Sequence, residues 1–272
     1  MNAPDPIVGG GSASSASVKQ CCARLYESDV ARMLLGDSFH PGGLSLTERL
    51  GTLLALGPAS RVLDVASGPG SSALFLAGRF GCQVVGVDYS ERNAQLATRE
   101  AVEKGLNVKV RFERGDAERL DFADACFDAV ICECAFCTFP DKATAAREFA
   151  RVLRRGGRIG ISDLTRTPVL PKELDSLLSW ISCIADAQPV EGYAECFRSA
   201  GLQIREIESH DHALIEMIHQ IRMKLLSAEI LAGLGKLKLP SVNFASARKM
   251  AKSALAAAER GQLGYAIVTA GY

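Results

Sequence analysis

The period of apolar positions changes several times along the chain, and each change marks a new element. From Val18 to Leu35 apolar side chains recur at Val18, Cys22, Leu25, Val30, Met33 and Leu34, the spacing of one helix face. The turn-forming stretch Gly36-Asp37-Ser38-Phe39-His40-Pro41-Gly42-Gly43 follows, then a second helical pattern over Ser45–Leu56 that Gly57-Pro58 closes. From Arg61 onward, short apolar runs alternate with amphipathic ones. The runs predict strands at Arg61–Val65, Gln83–Val87, Val108–Arg114, Phe127–Ile131 and Arg158–Leu164. Between them, helices are predicted at Ser71–Arg79, Glu91–Lys104 and Lys142–Leu153, with Ser90 as an N-cap and Gly156-Gly157 as a turn. Such a series builds an α/β fold, a doubly wound, mostly parallel sheet with helices on both faces.

The later pattern differs. Helices are predicted at Pro171–Ala185, Val190–Ala200, Ala213–Leu231 and Ala245–Arg260, and strands at Leu202–Glu208 and Tyr265–Thr269. Residues 1–17 are rich in Gly, Ser, Ala and Pro and read as a flexible tail. The remaining 18–272 read as one domain: a helical cover (18–57), a core (61–164), then lid helices and terminal strands (165–272).

Charge excludes some partners. Lys plus Arg and Asp plus Glu balance at 31 each, so no electrostatic footprint for nucleic acid or a membrane surface is expected. No apolar run nears the ~18 residues that span a bilayer, and the N-terminus lacks a secretory pattern. Nine cysteines, an odd number without an export signal, point to free thiols in a reducing cytoplasm.

Candidate chemistry concentrates at Val62-Leu63-Asp64-Val65-Ala66-Ser67-Gly68-Pro69-Gly70. An apolar strand ends on an acid, meets a glycine-punctuated loop and runs into a helix, as where an open sheet holds a nucleotide. The spacing is D-x-x-x-G-x-G rather than the dinucleotide G-x-G-x-x-G. Asp64, Ser67, Gly68 and Gly70 are therefore candidate ligand-binding residues. The second strand ends on Asp88, 24 residues later and beside Tyr89, placed to accept from ribose hydroxyls.

At these residues the chain resembles the class I S-adenosylmethionine-dependent methyltransferases, whose sheet carries an antiparallel edge strand. Gly115-Asp116-Ala117-Glu118, Phe122–Val130 and Glu148–Gly157 extend the resemblance. It implies that Asp116 takes the adenine amino group, with Ala117 beside it, and that Cys132 lies at the cofactor's strand end. Acids at strand ends suit the sulfonium and ribose, and glycine amides at a helix start suit the carboxylate.

Three thiols, Cys132, Cys134 and Cys137, fall within six positions, with Cys21-Cys22 upstream and Cys183 downstream. Here a narrower resemblance enters, to arsenite methyltransferases. Glu133-Cys134, Arg151-Val152-Leu153-Arg154-Arg155-Gly156-Gly157, Ser162-Asp163 and Cys183 stand in that family's order. It implies Cys134, Cys183 and Cys22 (or Cys21) as catalytic ligands of trivalent arsenic, a soft substrate that prefers thiolates, with a thiol reductant as partner. Glu133 replaces that family's Asn, and Cys137 is extra. The alternatives are a small organic O, N, C or S nucleophile, for which His40 is the candidate general base, and a cofactor sensor without catalysis. A zinc site at Cys132, Cys134 and Cys137 lacks the second C-x-x-C that structural sites use.

Overall fold

The computed structural model describes residues 19–20, 40–168, 186–234 and 243–272. The expected tail, the helix at Val18–Leu35 beyond Lys19 and Gln20, and the helix at Pro171–Ala185 lie outside these residues.

The described elements are α1 (Gly43–Leu53), β1 (Arg61–Val65), α2 (Ser71–Phe80), β2 (Gln83–Asp88), α3 (Glu91–Glu103), β3 (Val110–Arg114) and β4 (Phe127–Glu133). A 3-10 turn, Phe136–Thr138, leads to α4 (Lys142–Val152) and β5 (Leu153–Arg166). Then come α5 (Val190–Ser199), β6 (Gln203–Ser209), α6 (Asp211–Gly233), α7 (Phe244–Glu259) and β7 (Leu263–Gly271). The seven strands form one sheet in the order β3-β2-β1-β4-β5-β7-β6. β1 to β5 pair in parallel, whereas β7 runs antiparallel to both β5 and β6. The antiparallel strand thus lies one place in from the edge, and β6 covers it.

Burial explains why the apolar runs became inner strands. Val62, Leu63 and Val65 of β1 and Val84, Val85 and Val87 of β2 are buried, as a parallel sheet clad on both faces requires. All nine residues of β7 are buried. Helix starts follow their caps: Ser90 Oγ accepts from the Asn93 N–H at 3.0 Å, and Asp141 Oδ1 from the Thr144 N–H at 2.9 Å. Each such cap contributes about 1 kcal/mol. Around Phe136, rings of Phe139, Phe149, Tyr193 and Phe197 gather with centroids 5.3–5.9 Å away, fastening the turn after β4 to α4 and α5.

Two boundaries differ from the pattern-based reading. β3 starts at Val110 because Lys109 N–H turns back to the Leu106 carbonyl (2.8 Å), leaving Val108 90% exposed. Gly156-Gly157 does not separate α4 from β5. Strand pairing begins at Leu153 opposite Phe127, slips, and resumes at Arg158 opposite Ala129, with Gly156 at φ +78° inside the irregular stretch. No helix among the described residues is long and apolar enough to cross a membrane.

Candidate active site

The strand order reverses between β1 and β4, and a cleft opens at the carboxyl ends of β1 to β4. Asp64 of β1, 2% exposed, lies behind the part of the wall that Val65 and Ala66 form. Its carboxylate accepts from the Ala73 backbone N–H in the first turn of α2, while Oδ2 is buried without a partner. Burial first, then the nearby Glu133 and Asp88 charges, pushes its carboxyl well above the ordinary carboxylate range.

The loop after β1 turns through left-handed residues: Ala66 at φ +59°, Gly68 at +54° and Gly70 at +89°. Gly70 is required for two reasons. It N-caps α2, and a Cβ there would stand 2.6 Å from the Phe112 ring and 2.8 Å from Ala97. Ser67 N–H donates to the Val87 carbonyl at 3.0 Å, tying the loop to β2, and Ser67 Oγ is buried without a partner. Asp88 binds the same loop to α3: Oδ2 accepts from Gly68 N–H at 2.8 Å, and Oδ1 from Ser90 N–H at 2.8 Å and Asn93 Nδ2 at 3.3 Å. Tyr89 lines the cleft with the Arg114 guanidinium 5.9 Å from its ring centre. At the far end, after β3, Lys19 reaches Asp116 at 2.8 Å and Glu118 at 2.6 Å, and Ala117 lines the wall.

The opposite end is built by β4 and β5. The Glu133 side chain, only 4% exposed, accepts from Ser72 Oγ at 2.5 Å, Thr47 Oγ1 at 3.0 Å and Ser162 Oγ at 3.3 Å. His40 Nε2 stands 3.6 Å from its Oε2. Cys134 follows in the left-handed region at φ +53°, its N–H donating to the Ser162 carbonyl at 2.7 Å, and it lines the cleft.

Residues 63–161, the segment holding this cleft, match the family model described as a methyltransferase domain. Over these residues the chain is similar to a methyltransferase domain. The methyltransferase GfsG of Streptomyces halstedii is 30% identical over 174 residues, 63% of this chain and 63% of its own length. An arsenite methyltransferase of Halobacterium salinarum is 33% identical over 165 residues, 58% of this chain and 41% of its own. The chain thus spans less than two thirds of these relatives. Phosphoethanolamine N-methyltransferase 2 of Haemonchus contortus, solved with phosphomonomethylethanolamine and S-adenosylhomocysteine, superposes with a TM-score of 0.79 at 20% identity, over 95% of this chain and 60% of that one.

The cleft fits S-adenosylmethionine. Its wall combines the glycine backbone of Gly68 and Gly115 with the carboxylates of Asp88 and Asp116, a donor and acceptor set that suits a polar, cationic ligand. The start of α2, capped by Gly70, suits its carboxylate.

The expected site residues divide. Gly68, Asp88, Tyr89, Asp116 and Ala117 line one cleft, and Cys134 joins them at its β4 end; Asp64, Ser67 and Gly70 belong to the strand and loop behind its wall and do not line it. Cys132 does not line the cleft: it points into the core at 0% exposure, where burial, then Asp163, Asp64 and Glu133, pushes its thiol well above the ordinary range. Cys137 is buried too, its N–H donating to Asp163 Oδ2 at 2.9 Å and its thiol bonding the same carboxylate. Burial raises Asp163 to about 6. Cys21, Cys22 and Cys183 lie outside the described residues. Among the described residues no group of three or more His, Cys, Asp or Glu is poised around a metal ion. The residues that pattern reading missed are Lys19, Thr47, Ser72 and Ser162. The available signal was Glu133 itself, a carboxylate ending a strand otherwise apolar from Ala129 to Cys132, which needs hydroxyl donors nearby.

Proposed function

We propose that this protein transfers a methyl group from S-adenosylmethionine to a small-molecule acceptor bound against Glu133 and Cys134. The observation that carries the reading is the cleft at the strand-order reversal, lined by Gly68, Asp88, Tyr89 and Asp116 within the segment that matches a methyltransferase domain. Asp88 and Asp116 are the residues for the ribose and adenine, and the α2 amides those for the carboxylate. When bound, the cofactor supplies an electrophilic methyl on a cationic sulfur. The protein's own part is orientation: Glu133 and Cys134 hold the acceptor beside the cofactor, converting an encounter into an aligned pair. The test is calorimetry with S-adenosylhomocysteine, then transfer from labelled cofactor to an acceptor pool. Binding without transfer to any acceptor favours a cofactor sensor; no binding removes the proposal.

The best supported acceptor is a small organic nucleophile, because the acceptor end is built around a hydroxyl-bound carboxylate with a histidine behind it. Trivalent arsenic is the second reading, favoured by Cys134 in the cleft and by the arsenite methyltransferase relative. Its further ligands, Cys183 and Cys22 or Cys21, rest on the sequence resemblance. Methylation of arsenite with a thiol reductant, lost in both Cys134→Ser and Cys183→Ser with cofactor affinity intact, selects the metalloid. Transfer to phenols or amines but not to arsenite selects the organic acceptor.

A further inference from the structure

We propose that His40 and Glu133 form a proton store for the transfer step, with Glu133 passing the acceptor's proton to Nε2 of His40. The inference rests on the methyl-transfer reading above. It narrows the acceptor to one that arrives with a proton on its attacking atom, an O–H or an N–H.

The geometry assigns the roles. His40 Nδ1 lies 3.1 Å from the Pro41 carbonyl, which can only accept, so Nδ1 carries a hydrogen in both charge states of the ring. The ring nitrogen open to a further proton is therefore Nε2, and it faces Thr47 Oγ1 at 3.4 Å and Glu133 Oε2 at 3.6 Å. His40 is 6% exposed and does not line the cleft, whereas Glu133 does. A proton arriving from the acceptor thus meets the carboxylate first and the imidazole behind it. Thr47 of α1, Ser72 of α2 and Ser162 of β5 fix that carboxylate from three sides. The other titratable groups felt around the pair are Asp64, Cys132 and Tyr265, each of whose ionisation the Glu133 charge opposes.

Charge balance supplies the reason for a store. Among the described residues no lysine or arginine pairs with Asp64 or Glu133. A bound sulfonium contributes one positive charge to this acidic end, and the product thioether contributes none. In the step, the acceptor's lone pair forms the new bond to carbon and the C–S pair stays on sulfur. The X–H pair stays on the acceptor atom, and the proton ends on Nε2. The site loses a cation as the acceptor sheds one, and a protonated His40 beside Glu133 keeps the total constant. A thiolate-bound arsenic attacks through a lone pair and releases no proton, so this device has no use there.

The test needs no acceptor. Calorimetric titrations of the full chain with S-adenosylmethionine and with S-adenosylhomocysteine, each in phosphate and in Tris between about pH 6 and 8, count the protons exchanged on binding. The homocysteine form is expected to take up roughly one proton more than the methionine form. That difference is expected to vanish in His40→Asn and in Glu133→Gln, each checked for folding by circular dichroism. Equal proton counts in the wild type overturn the proposal, as does a difference that survives in a folded variant; if only one variant folds, it decides. Should neither cofactor form bind, the methyl-transfer reading falls and this inference with it. Should both bind with equal counts while labelled methyl is still transferred, only the proton store falls.

Discussion

Changing Asp88 to Asn alters one atom of the carboxylate that joins the loop after β1 to the start of α3. In the wild type Oδ2 receives the Gly68 N–H at 2.8 Å, while Oδ1 receives Ser90 N–H at 2.8 Å and Asn93 Nδ2 at 3.3 Å. An amide keeps one acceptor, and the two donors on the Ser90 side claim it. Its NH2 group then confronts the Gly68 N–H, donor against donor. The loss is one hydrogen bond to a charged group, about 1.5–3 kcal/mol, in a site only 8% exposed. In a chain of this size each kcal/mol moves the melting temperature by about 2–4 °C, so a fall of about 3–12 °C is expected. Affinity for S-adenosylhomocysteine is expected to drop by about 10- to 100-fold, since the same energy is lost from a loop that has to be in place before binding. Melting by circular dichroism and titration calorimetry read the two effects separately. A variant that melts within about 1 °C of the wild type and binds with full affinity would refute the role given to this carboxylate.

Three further outcomes follow from named contacts. Ala66→Gly relieves a left-handed alanine at φ +59°; against about 1–2 kcal/mol of relief stands about 0.4–1 kcal/mol of added unfolded-state freedom, so a melting temperature up to about 4 °C higher is expected. Gly86→Ala directs a Cβ into the Phe112 ring and to 2.8 Å from Ser67 Oγ, and is expected to cost about 1–3 kcal/mol in urea melts and to weaken cofactor binding. Asp163 is raised from 3.8 to about 6 by burial, so the native state holds its proton more tightly than the unfolded chain does. Its contribution is full below about pH 4 and declines by about 3 kcal/mol in all as pH rises through about 6 to about 7; Asp163→Asn lacks that decline, and a wild-type-minus-variant difference that stays flat with pH contradicts the assignment.

The central sheet was legible because its strands are buried on both faces and so write themselves as continuous apolar runs; β1 was read at its observed bounds, Arg61–Val65. Caps were legible for the same local reason, Ser90 above all. The start of β5 was not, because Leu153 joins β4 through a slipped register that no local pattern encodes. The β1 to β3 end of the cleft could be assembled from spaced acids and glycines, each within a few positions of a strand end. The β4 end could not. Glu133 draws its partners from α1, α2 and β5, residues up to 86 positions away in the chain, and hydroxyls on surface-like stretches carry no mark of that meeting. The thiols misdirect in the opposite sense: alternation on β4 predicts a shared face for Cys132 and Cys134, but the backbone turns left-handed at Cys134 and sends only that residue to the cleft.

The placement of β7 constrains how the molecule is made. It hydrogen-bonds β5 on one side and β6 on the other, yet follows both in the chain. As a ribosome delivers the chain, β5 therefore waits with an open flank and β6 without any partner strand until 263–271 emerges. That interval is when nascent chains of this protein are most exposed to pairing with one another.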